Sequence, residues 1–179
     1  MMESFKANWG WFLAWGILLV IAGILALIDA AFATLVSVFF LGILLLAGGI
    51  VGIINSFSFW WGKWRGFVLH FLLAILYIIA GVVLMHQPIA GAVWLTLLLG
   101  IFYLILGCSR IIYFSTVKAL RWGWGLTNGI ISLLIGILIL FSWPSSSFYI
   151  IGLFIGIDLI FWGWSYIMSS LAARKWAGA

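Results

Sequence analysis

The sequence predicts an all-α membrane protein of six transmembrane helices, arranged as three repeated helical hairpins. Three observations carry that expectation. Of 179 residues, 68% are hydrophobic and only 6% charged, whereas a water-soluble domain carries about a quarter charged residues. Six apolar runs approach the length of about twenty residues that a helix needs to cross roughly 30 Å of hydrocarbon. A glycine frame recurs three times along the chain. Continuity excludes a β-barrel: barrel strands alternate apolar and polar residues, and these runs are apolar on every side.

The runs place helices at Gly10 to Ile28, Thr34 to Ile54, Gly66 to Met85, Ala90 to Gly107, Gly123 to Phe141 and Ser146 to Ser170. Asp29 to Ala33, His86 to Ile89 and Ser142 to Ser145 are short enough only for tight antiparallel turns. Longer connections, Asn55 to Arg65 and Cys108 to Trp122, join one hairpin to the next. One membrane domain therefore holds hairpin repeats at about 9–57, 64–114 and 121–170. Pro88 and Pro144 fall between helices, where a missing N–H leaves no helical bond unmade.

All eight basic residues fall on one side of this layout: Lys6, Lys63, Arg65, Arg110, Lys118, Arg121, Arg174 and Lys175. Lys and Arg in short loops set membrane orientation, so that side, with both termini, is expected to be cytoplasmic. The net charge of +5 then reports topology and not a nucleic-acid footprint, since the cations are scattered singly with no soluble domain behind them. The expected partner is the lipid bilayer, including anionic head groups at the inner face. Lys6, an apolar run and Ala31-Phe32-Ala33 imitate a secretory signal with its cleavage site. The run is longer than a signal core, however, and the repeat needs the first helix to remain.

The glycine frame reads Gly23, Gly42, Gly49, then Gly81, Gly100, Gly107, then Gly136, Gly156, Gly163, with spacings of 19 and 7, 19 and 7, 20 and 7. The extra residue precedes Pro144, because Pro88 to Gly100 and Pro144 to Gly156 are both twelve apart. Ala30 holds the proline position in the first copy, and Ala74 the position that Gly16 holds there and Gly129 holds in the third. Such glycines read as packing sites: lipid is as apolar as leucine, so membrane helices associate where small residues let backbones approach. Packing within one chain and packing in a homo-oligomer are equally compatible with the pattern.

Chemistry has few carriers. There are three carboxylates, two histidines and one cysteine, with no metal-ligand spacing, phosphate loop or nucleophile beside a base. No enzyme activity and no cofactor are expected. Trp9, Trp11, Trp60, Trp61, Trp64, Trp122, Trp124, Trp162, Trp164 and Trp176 gather toward the inner ends of spans, as head-group rings do. Cys108 ends the fourth helix, Asp29 and His86 lie in outer turns, and His70 reads as a hydrogen-bonded interfacial histidine. Asp158 differs. It stands about twelve residues, roughly 18 Å, from either end of the sixth helix, and a carboxylate near the bilayer centre normally faces the bundle interior and marks a functional site. Depth arithmetic offers Ser132 and Thr96 as partners, for either a helix clasp or a proton-linked site.

Hairpins with Gly and Pro seven or eight apart, Pro and Gly twelve apart, and Gly and Gly seven apart, closing on Gly156-Ile157-Asp158-Leu159-Ile160-Phe161, resemble the bacterial HdeD family of DUF308 repeat membrane proteins. The resemblance covers most of the chain. It implies a six-helix inner-membrane protein associated with acid-stress resistance, with no assigned catalytic residues. Two other classes remain open: a small proton-linked or solute transporter using Asp158, and a membrane-embedded structural or assembly partner.

Overall fold

The computed structural model describes residues 9–59, 64–116 and 122–177. They form six α-helices: α1 (Trp9–Ile28), α2 (Ala30–Phe59), α3 (Trp64–His86), α4 (Pro88–Thr116), α5 (Trp122–Phe141) and α6 (Ile150–Ala177), with one 3-10 turn at Ser145–Phe148. All six are long and apolar enough to span a membrane, and no more than 22% of any span is buried within the protein. The exposed remainder is apolar side chain, which suits a hydrocarbon solvent. Lys6, Trp60, Trp61, Lys63, Lys118 and Arg121 lie outside the described residues.

Two helices outrun the sequence expectation. α2 continues through Asn55 to Phe59, and α4 continues past Gly107 and Cys108 to Thr116, so both longer connections are mostly helix. Hydropathy falls where polar residues begin, but the backbone ladder does not depend on side-chain hydropathy, and the hydroxyls there are satisfied on the helix's own carbonyls. Ser56 Oγ donates to Gly52 O at 2.8 Å, and Thr116 Oγ1 to Ile112 O at 2.7 Å. α6 is displaced in the other direction. It starts at Ile150 and runs to Ala177, because Ser146 belongs to the 3-10 turn, where its hydroxyl donates to Ile139 O at 3.0 Å.

Two of the three tight turns are shorter than expected, and the third, between Phe141 and Ile150, is longer. Asp29 alone separates α1 from α2, and its carboxylate accepts the Phe32 N–H at 2.9 Å, satisfying a donor that the start of a helix otherwise leaves open. Gln87 alone separates α3 from α4, with Pro88 as the first helical residue, the position where its fixed φ suits a helix start.

Contacts gather the chain into two compact units, the described residues of Met1–Thr34 with Tyr149–Ala179, and Leu35–Phe148. In the first, α1 packs antiparallel on α6. A Cβ on Gly23 would stand 2.7 Å from Gly156 O, and one on Gly163 would stand 2.7 Å from Gly16 O. Thr34 Oγ1 donates to Ala30 O and accepts the Gly152 N–H, both at 2.8 Å, while Ser170 Oγ donates to Trp9 O at the other end. In the second unit, α2 packs on α3, with Gly42 against Gly81 and Gly49 against Ala74. There α4 packs on α5, with Gly136 against Gly100 O and Gly107 against Leu133.

One rule generates all three seams: the second helix of each copy packs on the first helix of the next, and the third copy returns to the first. The repeat glycines lie at the close approaches of these seams. The close seams join neighbouring copies, and the tight turns join the two helices of each copy. Within a copy, α3 and α4 meet near their turn, where Leu84 stands over Gly91.

Candidate functional site

Polar side chains inside the spans are few, and each must be satisfied by its own helix, a neighbour or a partner, because hydrocarbon offers no hydrogen bonds. His70 follows the simplest course: it is exposed, with Nδ1 2.9 Å from Gly66 O one turn earlier. Cys108 is exposed and reduced. It stands eight residues before the end of α4 and not at the helix terminus, because the helix runs on to Thr116.

Asp158 lies eight residues into α6, about 12 Å from that end at 1.5 Å per residue, so it is nearer the turn end than expected. Its side chain is exposed. Gly156 and Gly163 commit the opposite face of α6 to α1, and a position two residues after Gly156 is turned about 200° from it. The frame gives this position to Leu44 in the first copy and Phe102 in the second, 53% and 56% exposed. The third copy thus puts a carboxylate on the face that the others leave apolar. Trp162, Ser165 and Ser169 continue this face at four, seven and eleven residues beyond Asp158, all exposed, and that spacing is one stripe of a helix. Trp162 and Trp164 consequently stand near the middle of α6, where the extension to Ala177 leaves them, and not at its end.

Ser132 and Thr96 have other surroundings. Ser132 is buried at the α4–α5 seam and accepts a hydrogen bond from Arg110 Nη1 at 3.2 Å; the same nitrogen donates to Asn128 Oδ1 at 3.1 Å. Thr96 is fully buried on the face of α4 that also carries Gly100, and its hydroxyl has no hydrogen-bond partner among the described residues. No hydrogen bond holds Asp158 among the described residues. The three candidates are therefore not gathered into one hydrogen-bonded site.

Arg110 and Asn128 were missed because the fourth helix was ended at Gly107, which left Arg110 in a loop. The signal was present: Arg110 is three residues beyond Gly107, and Asn128 immediately precedes Gly129. A Cβ on Gly129 would stand 3.1 Å from Arg110 Cβ, so the glycine makes room for the arginine stem. Among the described residues, no three His, Cys, Asp or Glu side chains gather as a metal site would require.

Six apolar spans in three equivalent seams define a multi-pass, membrane-type helical repeat protein. The chain belongs to the family described as a short repeat of unknown function, DUF308, whose model matches residues 14–86 and again 72–141. The two matches begin 58 residues apart, the distance from Gly23 to Gly81. The first takes in most of α1 with α2 and α3, and the second the end of α3 with α4 and α5, so each contains one inter-copy seam entire. The third seam, α6 on α1, is split by the chain ends. No curated protein and no solved structure matches the chain.

Proposed function

We propose that this is a non-enzymatic protein of the bacterial inner membrane, both termini cytoplasmic, that takes part in resistance to acid stress, as its resemblance to HdeD implies. The orientation rests on the basic residues. Arg65 lies at the start of α3 and Arg174 and Lys175 near the end of α6, so these helices carry their cations at the ends away from the tight turns. The functional role rests on Asp158, an ionisable side chain in an apolar span, which is a functional candidate by default. In a strain lacking the gene, wild type is expected to restore survival at low pH, and Asp158→Asn, expressed at the same level, to restore little of it. Equal survival with and without the gene would remove the acid role; full rescue by Asp158→Asn would remove Asp158 from it.

The α6 stripe also supports an assembly role, with a second copy of the chain as the occupant. Ser165, Ser169 and Trp162 supply donors and Asp158 an acceptor, so the stripe is complementary to itself, and polar groups of this kind join membrane helices. Asp158→Leu, which restores the pattern of the other copies, is expected to lower the oligomeric mass in detergent while leaving the thermal midpoint unchanged. A wild-type monomer would end this reading. A transport pathway has less support, since Asp158 faces away from its seam and Ser132 is engaged by Arg110. Equal proton flux through proteoliposomes of wild type and Asp158→Asn is the expected result.

A further inference from the structure

Arg110 carries a charge that its own unit does not neutralise. The three carboxylates of the chain are Glu3, Asp29 and Asp158, so the Leu35–Phe148 unit contains none. Arg110 is half-buried, and its hydrogen bonds, both from Nη1, go to the neutral oxygens of Asn128 and Ser132 of α5. A guanidinium has five N–H donors in a planar fork suited to oxyanions, so Nε and Nη2 remain to be served. Asn128 spends its amide oxygen on Arg110, which leaves its NH₂ as a further donor on an exposed side chain. The cluster thus offers donors and a positive charge.

Its place in the helices indicates what fills it. Arg110 is six residues from the end of α4, and Asn128 six from the start of α5. Trp124, 79% exposed, stands four residues before Asn128 and on the same face, about 6 Å nearer the helix end. An interfacial ring above a donor cluster, in a cleft between two spans, matches the layout of head-group sites on membrane proteins. Helix geometry adds the direction: side chains lean toward the helix N-terminus, so Arg110 leans back along α4 and away from its C-terminal end. Its guanidinium therefore sits beside Asn128 and Ser132 of α5, and an anion reaching it meets the donors of both helices.

We infer that Arg110 and Asn128 form a binding site for a phosphate oxyanion, carried by an anionic phospholipid at the basic end of α4 and α5. The site is independent of the acid-stress reading and of Asp158.

The test uses the full chain purified in a neutral detergent. Its thermal midpoint and retained lipid, the latter by native mass spectrometry, are compared after addition of phosphatidylglycerol, phosphatidylcholine or inorganic phosphate. Wild type is expected to retain phosphatidylglycerol over phosphatidylcholine by about fivefold, the weight of one arginine against anionic lipid. Arg110→Gln should lose most of that preference, and Asn128→Leu, which keeps the charge but removes a donor, part of it, with Arg110→Lys between wild type and Arg110→Gln. Asn128→Leu keeps the test open should Arg110→Gln fail to fold. If inorganic phosphate protects wild type as well as phosphatidylglycerol does, and the variants lose both effects, the oxyanion site stands and its occupant is a free ion. Unchanged lipid preference in a folded Arg110→Gln or Asn128→Leu protein would overturn the proposal. So would a fall in oligomeric mass with unchanged lipid retention, since Arg110 would then be paired with a carboxylate of another copy.

Discussion

Replacing Gly107 with valine is expected to force α4 and α5 apart and to lower the thermal midpoint strongly. A Cβ on Gly107 would lie 2.6 Å from the Leu133 nitrogen and 2.7 Å from its Cα, so the obstruction is backbone and no rotamer change can relieve it. Overpacking a close contact costs about 1–3 kcal/mol when side chains can shift, and valine here should reach or exceed the upper figure. Two neighbouring glycines in α2 supply the control. A Cβ on Gly49 would stand 2.8 Å from Ala74 O, whereas the nearest atom to one on Gly48 is a Tyr77 carbon at 4.0 Å. Gly49→Ala should therefore destabilise the protein, and Gly48→Ala should be neutral or better, since alanine favours a helix by about 1 kcal/mol over glycine. Equal effects at the two sites, read as melting in detergent, would show that helix propensity and not the seam governs stability.

The second large effect concerns the removal of α6. Gly16 and Gly23 lie against Gly163 and Gly156, so a chain cut after Phe148 leaves the packing face of α1 open. The Leu35–Phe148 unit keeps both of its own seams, because the atoms nearest to Gly42, Gly49, Gly81, Gly100, Gly107, Gly129 and Gly136 all belong to that unit. Expressed alone, Leu35–Phe148 is expected to insert and to melt near the midpoint of the full chain. The 1–148 piece should show the same main transition, with α1 digested by protease under conditions that spare it in the full chain. Failure of Leu35–Phe148 to fold in lipid would show that its seams need the other unit.

The number and order of helices were legible because long apolar runs have few structural alternatives, and the packing residues because three copies repeat one glycine register. Two things were not. The glycine frame leaves the packing partners open, since spacing conveys only linear proximity; nothing local in α1 reveals that Gly23 will meet Gly156. Helix ends were assigned by hydropathy, which measures where lipid stops and not where hydrogen bonding stops. That misplaced Arg110 and with it the polar cluster at Asn128 and Ser132. Asp158 was found because it is chemically isolated, but its direction required knowing which face of α6 the glycines commit to α1. The frame held that answer, since Gly156 and Asp158 are two residues apart and helical geometry sets them on opposite sides.

The α6-on-α1 seam distinguishes cyclic pairing from three self-contained hairpins, and a cross-link across it reads that difference directly. In a Cys108→Ser background, Phe12→Cys and Ile167→Cys place thiols on α1 and α6 beside Gly16, whose Cβ would meet Ile167 Cγ1 at 2.9 Å. A protease site in the 60–63 connection then divides the chain between the two cysteines. After treatment with a short bis-maleimide and cleavage, the two fragments are expected to migrate together as one full-length band under denaturing conditions. Two separate fragments, with both cysteines shown to be reactive, would contradict the seam and the closed pairing of the three copies.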